Sequence, residues 1–214
     1  LNGFFFFFLI NFPERNVIFA NEGNAIAIAA GHYFASQEIP LVYMQNSGIG
    51  NAVNPLVSLA DRNIYAVPIL LLIGWRGQPG IGDHPQHELQ GEITLNMLDM
   101  MHIPHAILKD DETEFMSVLA KAVAYCRQTQ QPYGLVAPRG VMAAAEKTNI
   151  RDSVYPLSRE EAMEIILDHM PEDTIYAATT GRATRELFFL REKRKETKAH
   201  DFLNVGSMGH ASSV

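Results

Sequence analysis

The sequence predicts an α/β fold, a doubly wound parallel sheet followed by a truncated second α/β unit. Short apolar runs alternate with helical patterns along the chain, which is typical of parallel strands linked by helices. The apolar runs are nearly continuous, as expected for strands that are covered on both faces. The 214 residues are 47% hydrophobic and 19% charged, a composition that provides for a substantial core.

The first predicted unit spans residues 1–142. Its strands are expected at residues 16–19, 41–45, 69–73 and 133–137, and its helices at residues 24–36, 51–59, 92–102 and 112–127. Asp111 directly precedes the last helix, where an aspartate caps the first turn. Because crossovers between parallel strands are right-handed, a doubly wound sheet is the expected topology.

A second predicted unit follows a mixed polar linker at residues 143–157. The pair Ser158 and Glu161 fits a capping box at the start of a helix. The expected elements of residues 158–214 are a helix at 159–170, a strand at 174–179, a helix at 183–193 and a strand at 202–205. The chain stops just inside the helix expected next, so this unit is interpreted as truncated.

Glu22 is the first candidate functional residue. It lies between the predicted strand 16–19 and the predicted helix 24–36. Open α/β sheets bind ligands at the carboxyl ends of their strands, which favours a functional carboxylate here. The alternative is a helix-start residue, because carboxylates are also favourable beside the first turn of a helix.

The segment NSGIGN, residues 46–51, is a second candidate. It follows a predicted strand and opens a predicted helix. Its glycines permit close backbone approach, and the free amides of a helix start suit an anion. A tight turn without a ligand is the alternative reading.

Residues 21–61 read NEGNAIAIAAGHYFASQEIPLVYMQNSGIGNAVNPLVSLAD, and this block resembles the pyrimidine-binding domain of the thiamin-diphosphate-dependent decarboxylases. Within that family it is most similar to the phosphonopyruvate decarboxylases, and the sulfopyruvate decarboxylases are nearly as similar. Further matching blocks are LLLIGWRGQPG (70–80), PQH (85–87), QGEIT (90–94), TTGRATREL (179–187) and DFLNVGSMGHASS (201–213). The resemblance implies a fold of the thiamin-diphosphate-binding type. Residues 1–142 would be an N-terminally incomplete pyrimidine-binding domain, and residues 158–214 the start of the diphosphate-binding domain.

The resemblance also implies roles for individual residues. Glu22 matches the family's glutamate at the ring nitrogen N1′ of the cofactor's aminopyrimidine. The segment of Gly206, Ser207 and Met208 matches the one that grips the same ring from its other side. There the Gly206 carbonyl would accept from the 4′-amino group, and Met208 would be the apolar wedge that bends the cofactor. A glycine turn without a ligand is the alternative for this segment.

Asn46, Ser47 and Arg76 are the candidates for binding substrate. The resemblance implies that the loop holding Asn46 and Ser47 lies close to the thiazolium and the substrate. Arg76 follows the predicted strand 69–73, and its planar guanidinium group suits a doubly charged phosphonate. An exposed surface arginine is the alternative interpretation of Arg76.

The implied function is the decarboxylation of phosphonopyruvate to phosphonoacetaldehyde and CO2 in phosphonate biosynthesis. Thiamin diphosphate and Mg²⁺ are the implied cofactors, with the magnesium ligands beyond the end of this chain. The substrate would be a small anionic 2-oxo acid, and the site would lie at the subunit interface of a homo-oligomer. A sulfopyruvate decarboxylase, or a non-catalytic fragment or interaction subunit of such an enzyme, remains the alternative.

Composition excludes several other classes of function. A net charge of −7 argues against nucleic acid as a partner. The apolar run at residues 3–12 is far shorter than a membrane helix, and no basic residues precede it as in a secretory signal. The single cysteine, Cys126, excludes an intrachain disulfide and fits the cytoplasm. His84 and His87 have no local third ligand, so no metal site is expected there.

Overall fold

The computed structural model describes residues 13–142, 156–178 and 181–203. The chain forms two compact units, Leu1–Glu146 and Lys147–Val214. The helices and strands of the first unit are, in chain order, α1 (Glu22–Ser36), β1 (Leu41–Gln45), α2 (Ile49–Ser58), β2 (Leu70–Gly74), α3 (Pro85–Met100), β3 (His105–Ile107), α4 (Glu112–Thr129) and β4 (Tyr133–Ala137). Short 3-10 turns cover Pro13–Arg15 and Asn46–Gly48.

The four strands of the first unit form one parallel sheet in the order β1-β2-β4-β3. In the register of the three neighbouring strands, Gln45 of β1 is opposite Gly74 of β2, which is opposite Ala137 of β4. All three residues end their strands. The residues that follow them therefore meet at one edge of the sheet, where open α/β sheets bind ligands.

Helices cover both faces of this sheet, which confirms the doubly wound α/β fold. On one face Ile26 of α1, Ala52 of α2 and Leu98 of α3, all without solvent exposure, pack in one cluster with residues of the strands. On the other face Ala122 and Cys126 of α4 pack with strand leucines. Fully burying a leucine or isoleucine side chain contributes roughly 1.5–3 kcal/mol. Burial also raises the pKa of the Cys126 thiol to about 11, so this thiol stays protonated at neutral pH.

Two strands differ from those that the sequence predicted. Residues 16–19 form no strand, because none of the described strands pairs with them. Val17 and Ile18 are exposed. The strand β3 was missed: it has only three residues and pairs with β4 alone, at the edge of the sheet. A run this short carries too little apolar pattern to be recognised from sequence.

Three helices of the first unit begin earlier than the sequence predicted. The largest difference is in α3, which begins at Pro85 instead of residue 92. Proline is favoured in the first turn of a helix, because its fixed φ suits the helix and its missing N–H would have no partner there. Asp111 caps α4 as predicted, since its side chain accepts from the backbone N–H of Glu114 (2.7 Å).

The second unit contains α5 (Arg159–His169), β5 (Tyr176–Ala178), α6 (Arg182–Lys193) and β6 (Asp201–Leu203). Strands β5 and β6 are parallel, and the predicted capping box of Ser158 and Glu161 is present. Leu167, Leu187 and Leu190 form the core. Beside this core the buried Arg191 pairs with the buried Asp201 (Nε to Oδ2, 2.8 Å). Residues 179 and 204–205, predicted as strand ends, lie outside the described residues.

A contact between two glycines fixes the loop that follows β2. A Cβ atom on Gly91 of α3 would overlap the carbonyl oxygen of Gly77, and a Cβ atom on Gly77 would overlap the carbonyl oxygen of His87, so both positions require glycine. Gly77 also has a positive φ of 66°, which glycine adopts without strain. The indole N–H of Trp75 donates to the Gly91 carbonyl at 2.9 Å. Trp75 and Gly77, the neighbours of Arg76 in the sequence, both contact Gly91 and thus hold the loop against α3.

Across the three described ranges, none of the helices combines the length and the apolar character needed to cross a membrane.

We expect Gly91→Ala to destabilise the first unit by about 1–3 kcal/mol, the usual effect of forcing extra atoms into a packed contact. Urea unfolding followed by the fluorescence of Trp75, the single tryptophan, measures the free energy of unfolding. Trp75 is a suitable probe because it is hydrogen-bonded to Gly91. Gly31→Ala is the matched control. It also lies in a helix, a Cβ there meets nothing within 4 Å, and helix propensity should make it neutral or stabilising. Equal unfolding midpoints for Gly91→Ala and the parent would contradict the glycine contact.

Candidate active site

The buried side chain of Asn46 ties three segments together at the carboxyl edge of the sheet. Its Nδ2 donates to the backbone carbonyl of Arg76 (2.8 Å) and to Oγ1 of Thr94 on α3 (2.9 Å). Its Oδ1 accepts from the backbone N–H of Arg76 (3.1 Å). Both donors of the amide are therefore engaged within the protein, and Asn46 fixes where the Arg76 loop leaves the sheet.

Ser47 follows Asn46 in the same 3-10 turn and is half-buried. Its hydroxyl oxygen accepts from Nε2 of Gln45 at 2.8 Å. The hydroxyl proton donates to none of the described residues. Ser47 therefore retains a donor for a ligand, which Asn46 does not.

Glu22 is the first residue of α1, and its carboxylate lies against the turn that follows β1. The helix cap is Asn21, whose side chain accepts from the backbone N–H of Asn24 at 3.0 Å. Oε2 of Glu22 accepts from Nδ2 of Asn51 on α2 at 2.9 Å. A Cβ atom on Gly48 would overlap Cγ and Cδ of Glu22, so the absence of a side chain at Gly48 makes room for this carboxylate.

The second oxygen of this carboxylate, Oε1, forms no hydrogen bond with the described residues. One oxygen of Glu22 is therefore oriented by the protein while the other remains available. Such a carboxyl group can share a proton with a basic ring nitrogen of a ligand.

Arg76 forms a bidentate ion pair with Asp83 in the loop after β2. Its Nε donates to Oδ2 (2.7 Å) and its Nη2 to Oδ1 (2.6 Å). Asp83 also accepts from the backbone N–H groups of Gly77 and His84. The hydrogen bond from Arg76, with these backbone donors, holds the pKa of Asp83 far below its usual value, so Asp83 is ionised at neutral pH. Nη1 of Arg76 makes no hydrogen bond with the described residues.

A cleft of about 580 Å³ opens beside this ion pair. Its lining includes Trp75, Arg76 and Asp83 from the loop after β2, and Arg139 from the end of β4. The buried Oε1 of Gln78, another lining residue, has no hydrogen-bond partner in the described structure. Buried polar atoms are rarely left unpaired in native proteins, so this atom suits a bound ligand or water.

Two histidines lie in the same region. Burial, and next the charge of Arg76, lower the pKa of His87, which favours the neutral imidazole. His84 lines the cleft. Within the described residues, no group of three or more His, Cys, Asp or Glu side chains is arranged to hold a metal ion.

The structure brings Glu22, Asn46, Ser47 and Arg76 to one edge of the sheet. Gly206, Ser207 and Met208 lie outside the described residues. The sequence placed Asn51 in the candidate segment 46–51 but assigned it no role, although it orients Glu22. Arg139 was not predicted. The end-of-strand rule would have pointed to Arg139, because it lies two residues beyond β4 just as Arg76 lies two residues beyond β2.

Comparison with known proteins identifies relatives of this chain. Residues 9–102 match the family described as "Thiamine pyrophosphate enzyme, N-terminal TPP binding domain". A phosphonopyruvate decarboxylase from Streptomyces viridochromogenes is 32% identical, and the alignment covers 94% of this chain and 52% of that protein. A sulfopyruvate decarboxylase from Methanosarcina acetivorans is 26% identical over 95% of this chain and 55% of its own length.

A third relative is shorter. The sulfopyruvate decarboxylase subunit alpha from Methanocaldococcus jannaschii is 31% identical, and the alignment covers 60% of this chain and 70% of that subunit. The chain spans about half the length of the phosphonopyruvate decarboxylases it matches.

We expect Gly48→Ala to displace the Glu22 carboxylate without unfolding the first unit, because the new methyl group overlaps a side chain and not backbone. The Asn51 side-chain amide should then shift in a ¹H–¹⁵N spectrum toward its position in Glu22→Ala. Gly50→Ala, where a Cβ meets nothing within 4 Å, is the control and should leave that resonance in place. An unshifted amide in Gly48→Ala would mean that the contact between Gly48 and Glu22 does not orient the carboxylate.

Proposed function

The chain belongs to the thiamine pyrophosphate enzymes through their N-terminal domain, and on that basis we propose that its complete protein decarboxylates phosphonopyruvate to phosphonoacetaldehyde and CO2. The observation that carries this proposal is the alignment of phosphonopyruvate decarboxylases over 94% of the chain. Sulfopyruvate decarboxylation is the second candidate, favoured by the match to 70% of a sulfopyruvate decarboxylase subunit.

The residues of the first unit fit the pyrimidine end of thiamin diphosphate. When bound, this cofactor supplies the electron sink that decarboxylation of a 2-oxo acid requires. Glu22 would hold a proton at the ring nitrogen N1′. The available Oε1, the hydrogen bond from Asn51 to Oε2 and the space left by Gly48 all support this role.

The other end of the cofactor needs different residues. A diphosphate is normally held through Mg²⁺ by hard oxygen ligands, and no such group is assembled within the described residues. We therefore assign the Mg²⁺ ligands to parts of the complete protein outside those residues. Gly206, Ser207 and Met208 remain our candidates for the opposite face of the pyrimidine ring.

The substrate would enter beside Ser47 and the loop after β2. Ser47 retains a hydroxyl donor, and Arg76 retains Nη1 as a donor for the anionic tail. Asn46 supports both indirectly, since its amide fixes the backbone of Arg76. We further propose a cytoplasmic homo-oligomer with the site at a subunit interface, the assembly that the family resemblance implies.

We expect Glu22→Gln in the complete protein to retain the fold and lose most decarboxylase activity, because an amide cannot share a proton with N1′ as the acid does. Circular dichroism and CO2 release from phosphonopyruvate measure the two effects. Glu38→Gln, an exposed glutamate just after α1, is the matched control and should keep the parent's activity. Activity of Glu22→Gln within a few-fold of the parent would remove Glu22 from the proposed role.

We expect Arg76→Ala to weaken kcat/KM for phosphonopyruvate much more than for pyruvate, which has no charged tail. A charge-assisted hydrogen bond is worth about 1.5–3 kcal/mol, roughly 10- to 150-fold. Steady-state kinetics with both substrates provide the comparison. The exposed Arg62 gives the control, Arg62→Ala, which should change neither value. Equal losses for both substrates would make Arg76 a structural residue and contradict its role at the tail.

A further inference from the structure

We propose that Arg139 determines specificity for the substrate's anionic tail, receiving a phosphonate together with Arg76 in the cleft that both residues line. The proposal rests on the function proposed above and names the chemistry of its substrate site. Arg139 lies two residues beyond the end of β4, and Arg76 lies two residues beyond the end of β2. These strands are neighbours with Gly74 opposite Ala137, and the backbone N–H of Trp75 donates to the Ala137 carbonyl (2.9 Å).

The two arginines differ in how their charge is compensated. Arg76 is paired through two hydrogen bonds with the ionised Asp83, so this pair adds little net charge to the cleft. Arg139 is exposed and forms no hydrogen bond or ion pair with any described residue. Among the arginines, lysines and carboxylates that line the cleft in the described structure, the charge of Arg139 is the uncompensated one.

This charge also decides which side of the loop suits an anion. A second depression, of about 320 Å³, lies beside the same loop, and its lining includes Glu88 and Glu92 besides the paired Asp83. It is acidic and repels an anion. The larger cleft offers the free guanidinium of Arg139 together with Nη1 of Arg76. Two guanidinium groups suit a phosphonate, which carries up to two negative charges and three acceptor oxygens.

The first test titrates the full chain with methylphosphonate, followed by ³¹P NMR. The parent should bind it saturably, and Arg139→Gln should weaken binding at least about 10-fold, the lower range for a charge-assisted hydrogen bond. Arg139→Lys should restore part of the lost affinity, because lysine keeps the positive charge but lacks the paired donors of a guanidinium group. Arg127→Gln, an exposed arginine of α4 that lines neither cleft, is the control and should bind like the parent.

The second test separates the substrate's tail from the cofactor's diphosphate as the anion. In the complete protein, Arg139→Gln should raise KM for phosphonopyruvate at least about 10-fold and leave unchanged the thiamin diphosphate concentration that gives half-maximal activity. A change in the cofactor requirement with an unchanged KM would overturn the substrate assignment.

The two proposals fail in different ways. Equal methylphosphonate binding by Arg139→Gln and the parent, or no saturable binding by the parent, would overturn the Arg139 site whatever reaction the protein performs. If binding depends on Arg139 but the complete protein does not turn over phosphonopyruvate, the anion site stands and the proposed reaction is wrong. A far-ultraviolet circular dichroism spectrum and a urea midpoint equal to those of the parent verify that Arg139→Gln is folded.

Discussion

The buried amide of Asn46 is the interaction on which the position of the Arg76 loop at the carboxyl edge of the sheet depends. Its three hydrogen bonds join the end of β1, the backbone of Arg76 and Thr94 of α3. Leaving such buried groups unpaired costs about 1–3 kcal/mol each, so the three segments keep one arrangement. The glycine contact between Gly77 and Gly91 fixes the same loop farther along. Arg76 is thereby positioned by backbone constraints and not only by its ion pair with Asp83.

The carboxyl edge of the sheet carries two chemically different regions, one around Glu22 and one around the cleft of Arg76 and Arg139. At one end Glu22 has one oxygen held by Asn51 and one available, as a residue that shares a proton with a ring nitrogen requires. At the other end the cleft contains a neutralised pair, Arg76 with Asp83, and the uncompensated Arg139. A reactant with a ring nitrogen suits the first end, and an anionic tail suits the second. The proposed decarboxylation brings both together, since cofactor and substrate supply one group each.

Much of this was predictable from the sequence, and the failures have physical causes. Long apolar runs predicted β1, β2 and β4, and the resemblance singled out Glu22, whose role stays a prediction. The strand β3 was missed because three residues carry little pattern, and residues 16–19 were assigned to a strand because apolar character alone does not supply a pairing partner. The hydrogen bonds of Asn46 with Arg76 and Thr94, and the hydrogen bond from Asn51 to Glu22, join residues far apart in sequence. Local periodicity carries no information about such contacts.

The most direct test of the central claim is a crystal structure of the complete protein with thiamin diphosphate and Mg²⁺. We expect an oxygen of Glu22 at hydrogen-bonding distance from N1′ of the aminopyrimidine ring, about 2.6–3.2 Å, with the hydrogen bond from Asn51 to Glu22 preserved. A ring bound elsewhere, or a different carboxylate facing N1′ while Glu22 remains only at the start of its helix, would contradict it.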